Sequence, residues 1–205
     1  RATRDAGETL RRIARTQLAE QLEVAGVPPE GRWLGTSAPF PDLSWVRHKL
    51  GDTPRLQPAY FSLEEPYMLL IPGASAHREA KRWPEENYAE LASRVADAGI
   101  QPVIIGGKAE EPRAKSLVTR TDLFQIVTLA EKALFVVGND TGPMHMATLA
   151  GAPGIALFAL TESNPDHAAP RGPKQPVIIN SAPTLKELSV DDVWQSVRAL
   201  GLLPA

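Results

Sequence analysis

This chain predicts an α/β fold, a parallel sheet flanked by helices, and three observations carry the expectation. Short apolar runs such as Tyr67-Met68-Leu69-Leu70-Ile71 and Leu134-Phe135-Val136-Val137 suit strands covered on both faces. Stretches of helical periodicity alternate with them at the spacing of βαβ units. Gly-bearing turns close several of the runs, where an open parallel sheet meets its ligands.

Residues 1–23 read as a helix with Leu10, Ile13, Ala14, Leu18 and Leu22 on one stripe. No strand precedes it and the first residue is Arg1, so the sequence is expected to be a fragment or to omit parts of a longer chain. Residues 26–66 are rich in loops, because Pro28, Pro29, Pro39, Pro41, Pro54, Pro58 and Pro66 break any long element. A short helix over 42–50 would turn Trp45 and Val46 inward. The segment reads as a linker or periphery between domains, and the regular domain occupies 67–205.

The first strand of that domain is 67–71. Pro84 opens a helix that runs to about Ala98, and Gly99 ends it. A strand follows at 102–105, then a short one at 116–118. Only Lys108 to Lys115 lie between them, whereas a parallel crossover takes about a dozen residues or more. Either its helix is very short or residues are missing near Arg113–Lys115. Next come a helix at 123–132, a strand at 134–137 and a helix at 143–150 closed by Gly151. Strands at 154–158 and 176–179 precede a last helix at 190–200. Asp191 and Asp192 in its first turn suit the helix dipole.

The 205 residues suffice for one or two domains with a sizeable core. A formal charge of −2 argues against a surface built for nucleic acid. The absence of cysteine excludes disulfides, thiolate metal sites and a cysteine nucleophile. No apolar stretch approaches the ~20 residues that span a bilayer, and the four histidines are too scattered for a metal cluster.

Three constellations are candidates for chemistry. Pro72-Gly73-Ala74-Ser75 follows the first strand and precedes Lys81-Arg82-Trp83-Pro84. Its small residues let backbone approach a ligand, Ser75 offers a hydroxyl, and Lys81 is a flexible cation able to reach phosphate. An ordinary strand–loop–helix junction with a solvated charge run fits equally well, and Trp83 reads as a core anchor. Gly106-Gly107 with Glu110 and Glu111 would bring carboxylates to a sheet edge, where ribose hydroxyls are bound in dinucleotide folds. On its own that segment is better read as a solvent-exposed helix start. The most informative segment is Gly138-Asn139-Asp140-Thr141-Gly142-Pro143-Met144-His145, a strand exit that starts a helix. Free N–H groups there favour an anion, typically phosphate. His145 either faces the cleft or caps locally.

Together these motifs, with Thr121-Asp122-Leu123, resemble the carboxyl-terminal half of glycosyltransferase family 9, the ADP-heptose:lipopolysaccharide heptosyltransferase group. The resemblance covers roughly residues 67–200, and its last motif is the specific one. Residues 17–27 resemble the segment leading out of the family's first domain, which makes 1–66 a remnant of that domain and its linker. The resemblance implies GT-B architecture, two Rossmann-like domains facing a cleft, with the amino-terminal one incomplete here. It implies transfer of a sugar, heptose, from a nucleotide-sugar donor, ADP-heptose, to a lipid-linked lipopolysaccharide-core acceptor. Transfer would invert the anomeric carbon, with no metal and no cofactor, in the cytoplasm and with peripheral contact at the inner membrane.

By the same resemblance, Thr141 and Gly142 hold the diphosphate, Asp140 contacts the donor sugar, and Lys81 pairs with phosphate or sugar. Glu110 binds ribose, Thr121 lies against the base, Ser75 contacts phosphate, and His145 stands beside the anion site. The family's catalytic base is an aspartate near the start of its first domain, and no counterpart can be named in this sequence. Ala159-Leu160-Thr161-Glu162 departs from the family's Gly-Pro-Thr-like turn on the far side of the donor site. Two other readings are a non-catalytic nucleotide-sugar-binding relative and a GT-B sugar-nucleotide epimerase.

Overall fold

The computed structural model describes residues 57–73, 78–106, 113–173 and 177–204. The helices expected over 1–23 and 42–50 lie outside the described residues, as do Ser75 and Glu110.

Six strands form one sheet: β1 (Tyr67–Ile71), β2 (Gln101–Ile104), β3 (Lys115–Ser116), β4 (Val136–Asn139), β5 (Gly154–Ala159) and β6 (Ile178–Ala182). All neighbours are parallel, in the order β3-β2-β1-β4-β5-β6. This is the doubly wound order, in which chain direction across the sheet reverses between β1 and β4. The helices are α1 (Glu85–Asp97), α2 (Leu123–Lys132), α3 (Gly142–Leu149), α4 (Pro165–Ala168) and α5 (Val190–Ala199). None of the described helices is long and apolar enough to cross a membrane.

The contiguous apolar runs have a direct cause, since both faces of the sheet are covered. Met68, Leu70, Val137, Ile155 and Leu157 pack with Tyr88, Leu91 and Val95 of α1 and with Val193 and Val197 of α5. The alternate residues Leu69, Ile71, Val136, Ala156 and Phe158 pack with α2 and α3 through Ile126, Leu129, Met144 and Ala147. Successive strand residues point to opposite faces, so each helical layer receives every second side chain. Trp83 is a core anchor, as expected. It is buried, donates its indole N–H to Leu188 O at 2.8 Å, and meets Tyr88 edge to face.

Helix starts follow their local chemistry. Asp122 caps α2 in a capping box with Gln125, and Ser189 accepts from Asp192 N at the start of α5. Gly99 and Gly151 end α1 and α3 at positive φ, a conformation that favours glycine.

Several boundaries differ from the sequence expectation. The strand expected at 134–137 is β4 at Val136–Asn139, so Gly138 and Asn139 belong to the sheet and not to a turn. Gly138 lies opposite Ile71, and a Cβ there would sit 2.7 Å from Ile71 Cβ. It is a packing glycine, which a sequence pattern does not distinguish from a turn glycine. β3 lies at Lys115–Ser116 where 116–118 was expected, and Thr119 turns away at positive φ. β6 lies at Ile178–Ala182 where 176–179 was expected. It is carried past its apolar residues by pairing with β5 through Asn180 and Ser181. No helix connects β2 to β3 among the described residues, yet the two strands pair in parallel.

Candidate functional site

At the β1–β4 reversal the two exit segments leave toward opposite faces and open a crevice above the strand ends. A cavity of about 600 Å³ lies there, within the size range of small-ligand sites. Ile71 and Gly73 of the β1 end form one part of its wall, and Gly106 of the β2 exit another. Arg78 and Lys81 enter from the β1–α1 connection. Asp140, Thr141, Gly142, Pro143 and His145 complete it from the β4 exit and the first turn of α3.

Lys81 closes a 3-10 turn, Glu79–Lys81, and its Nζ lies 2.6 Å from Asp140 Oδ2. The two side chains are only 12% and 10% exposed, so this pair is largely removed from water. His145 Nε2 stands 3.5 Å from the other carboxylate oxygen. His145, Lys81 and the Ser163 hydroxyl together hold the Asp140 carboxyl well below the ordinary carboxylate range, against the opposing effect of burial. The lysine contact is the shorter, and it fixes the carboxylate's position.

Thr141 is the N-cap residue of α3, and its side chain makes no capping hydrogen bond. Its Oγ1 is buried without a hydrogen-bond partner. The first N–H groups of a helix lack intrahelical acceptors, and no acidic residue occupies the first turn of α3. A helix start with unspent N–H groups and a lysine thus line one cavity, with an unpaired buried hydroxyl beside them. Such an arrangement suits an anion with several acceptor oxygens.

Of the residues singled out in the sequence, the fold brings together Lys81, Asp140, Thr141, Gly142 and His145. His145 faces the cleft, which resolves the choice between cleft and local cap. Thr121 precedes the Asp122 cap of α2 and is not part of the cavity wall. Arg78 lies 3.9 Å from Glu162, so the β5 exit whose sequence departs from the family pattern reaches the cavity side. Sequence reasoning missed Ser163, Asn139 and Tyr88. Asn139 carried a signal, a polar residue at the end of an apolar strand. Ser163 carried none. Among the described residues no group of three or more His, Asp or Glu could hold a metal ion.

Fold and site define a doubly wound α/β domain with a crevice at its reversal point, lined by Lys81, Asp140 and the start of α3. The chain belongs to glycosyltransferase family 9 (heptosyltransferase), whose family model matches residues 36–197. It is 35% identical over 132 residues to lipopolysaccharide heptosyltransferase 2 of Escherichia coli K12, a match that covers 57% of this chain and 37% of that protein. It is 30% identical over 129 residues to lipopolysaccharide heptosyltransferase 1 of the same strain, covering 55% and 40%. The chain thus spans well under half the length of these relatives. Among solved structures, E. coli ADP-heptose lps heptosyltransferase II superposes with a TM-score of 0.60 at 25% identity, over 84% of this chain and 55% of that one. The family 9 glycosyl transferase from Veillonella parvula DSM 2008 gives 0.60 at 19% identity, over 87% and 57%, a likeness of fold.

Proposed function

We propose that this chain carries the donor-binding part of an inverting, metal-independent glycosyltransferase that moves heptose from ADP-heptose to a lipopolysaccharide-core acceptor. The observation that carries the reading is the cavity at the β1–β4 reversal, lined by the Lys81–Asp140 pair and by Thr141 and Gly142 at the start of α3. The relatives, an ADP-heptose heptosyltransferase and a lipopolysaccharide heptosyltransferase by name, suggest the donor and the acceptor class.

Breaking a glycosyl–phosphate bond develops negative charge on the departing diphosphate. The α3 N-terminus, the Thr141 hydroxyl and Lys81 would stabilise that charge with groups already in place. Lys81 is held by Asp140 at the cavity wall. An arriving diphosphate competes for the lysine and leaves the Asp140 carboxylate free to accept sugar hydroxyls. Ser75 would add a phosphate contact, Glu110 would bind the ribose, and Thr121 would lie toward the base. His145 would steady Asp140. The base that takes the acceptor proton is not assigned to any residue of this chain. We place the reaction in the cytoplasm, with peripheral contact at the inner membrane where the lipid-linked acceptor resides.

Thr141→Val tests the reading. Valine fills the same volume without the buried hydroxyl. The melting temperature should hold or rise, because an unpaired buried polar atom is removed. Affinity for ADP should fall about tenfold, because the hydroxyl's partner is then the ligand. Calorimetry with ADP on both proteins decides it, and equal affinity would remove Thr141 from the site. Release of ADP from ADP-heptose only when a lipid A–linked acceptor is present would identify transfer. Change of the sugar without an acceptor would identify an epimerase instead.

A further inference from the structure

We infer that Asn139 is a positioning residue, whose buried amide ties the β1 exit turn to the end of β4 while Lys81 is free to change partner. Asn139 is fully buried on the α1 side of the sheet. Its Nδ2 donates to Pro72 O at 3.0 Å and, more weakly, to Gly73 O at 3.4 Å. Its Oδ1 accepts from the Tyr88 hydroxyl at 2.8 Å. The amide orientation follows from chemistry. Two main-chain carbonyls can only accept, so the nitrogen must face them and the oxygen must face Tyr88. Burial pushes the Tyr88 phenol up, so it remains a donor throughout the working pH range.

The β1–α1 connection therefore meets the β4 exit through two ties of different kinds. The Lys81–Asp140 tie faces the cavity and is open to competition from an anion. The Asn139 tie lies behind it, where no ligand reaches. When Lys81 leaves Asp140, the Asn139 amide keeps Pro72 and Gly73, at the cavity wall, in register with Asp140. An apolar residue would pack in this strand at least as well as Asn, as Val136 and Val137 do. The asparagine's distinguishing property is that it fixes one geometry of the exit turn.

Asn139→Asp keeps the size and the acceptor for Tyr88 but turns the donor face into one that repels the two carbonyls. Tyr88→Phe keeps the donor face and removes the hydroxyl's bond to Oδ1 together with its weaker contact to Ile71 O at 3.4 Å. Both should lower the melting temperature. Because this inference rests on the proposed donor site, ADP is the probe. Measured well below the melting temperature, Asn139→Asp should lose about tenfold or more in ADP affinity, and Tyr88→Phe should stay within about twofold of the parent. At saturating ADP the ³¹P resonances of the bound diphosphate should move in Asn139→Asp and not in Tyr88→Phe. Should Asn139→Asp fail to fold, Asn139→Ser, too short to reach Gly73, should show the same loss. Parent-like affinity in a folded Asn139 variant overturns the inference, and so does an equal loss in Tyr88→Phe. A parent chain that takes no ADP would instead sink the proposed function. In that case amide exchange at Gly73, whose carbonyl Asn139 holds, reports the tie, and it should be faster in Asn139→Asp than in Tyr88→Phe. Equal exchange in the two would overturn the inference.

Discussion

Two ion pairs of nearly equal length serve different ends in this molecule. Lys81–Asp140 spans 2.6 Å in the cavity with both side chains about nine-tenths buried. Arg94–Asp191 spans 2.7 Å between α1 and α5 with the aspartate 79% exposed, and Arg94 also reaches Glu90 one turn back on α1. Distance alone would rank them together. Environment separates them, since an exposed pair is screened by water and salt and contributes little. A buried pair costs desolvation that its mutual attraction only partly offsets. A fold that keeps such a pair at the mouth of a cavity holds charge where a ligand can use it.

The largest difference should come from cutting each pair. Lys81→Ala removes a charge-assisted contact to the proposed diphosphate and should lower ADP affinity about a hundredfold, near the upper value for hydrogen bonds to charged groups. Arg94→Ala should leave ADP affinity unchanged and lower stability by about 0.5 kcal/mol or less. Calorimetry with ADP and urea unfolding on both variants check this. Equal effects on affinity would break the comparison.

A second difference concerns the seam beneath the buried pair. An added methyl at Gly138 would meet Ile71 Cβ at 2.7 Å, Ile71 O at 3.1 Å and Met144 Sδ at 3.2 Å. The first two are attached to the paired β1 strand and cannot swing aside. Gly138→Ala should therefore cost about 1–3 kcal/mol of stability through overpacking. Gly142, four residues on, has nothing within 4 Å of such a methyl and no positive φ. Gly142→Ala should shift stability by less than about 0.5 kcal/mol. Urea unfolding of the two variants measures both, and a similar loss at the two sites would mean that the seam is not the stiff element.

The same residues explain what the sequence disclosed and what it withheld. β1 and α2 were read at their observed bounds, because an apolar run covered on both faces and a Thr-Asp-Leu start with Gln125 three residues after its cap are local signals. The turn Asp140-Thr141-Gly142 was legible as a strand exit that starts a helix, because its position between the two is also local. Gly138 was misread as turn because its constraint comes from Ile71, 67 residues earlier in the chain. Ser163 and the Asn139–Tyr88 bond were invisible for the same reason: each meets its partner only after β1, β4 and β5 assemble. Lys81 was legible as a cation near a turn. Its capture by Asp140, 59 residues away, was not.

The smallest effect should appear on acidification, and it isolates the buried pair. His145, Lys81 and Ser163 hold the Asp140 carboxyl below its ordinary pKa in the folded chain. A carboxyl that gives up its proton more readily when folded contributes stability that is complete above the unfolded value of about 4. That contribution is lost as pH falls toward the depressed folded value. Asp140→Asn removes this titration while keeping the shape of the side chain. Between pH 6 and pH 2.5 the melting temperature of the parent should therefore fall more steeply than that of Asp140→Asn, with the difference in slope confined to the region below about pH 4. The variant starts lower at pH 6, because Lys81 then lies in the cavity without its carboxylate, and the two curves converge in acid. Parallel curves would mean that the 2.6 Å contact adds nothing to folding. The pair's reason for being would then have to be sought in the ligand alone.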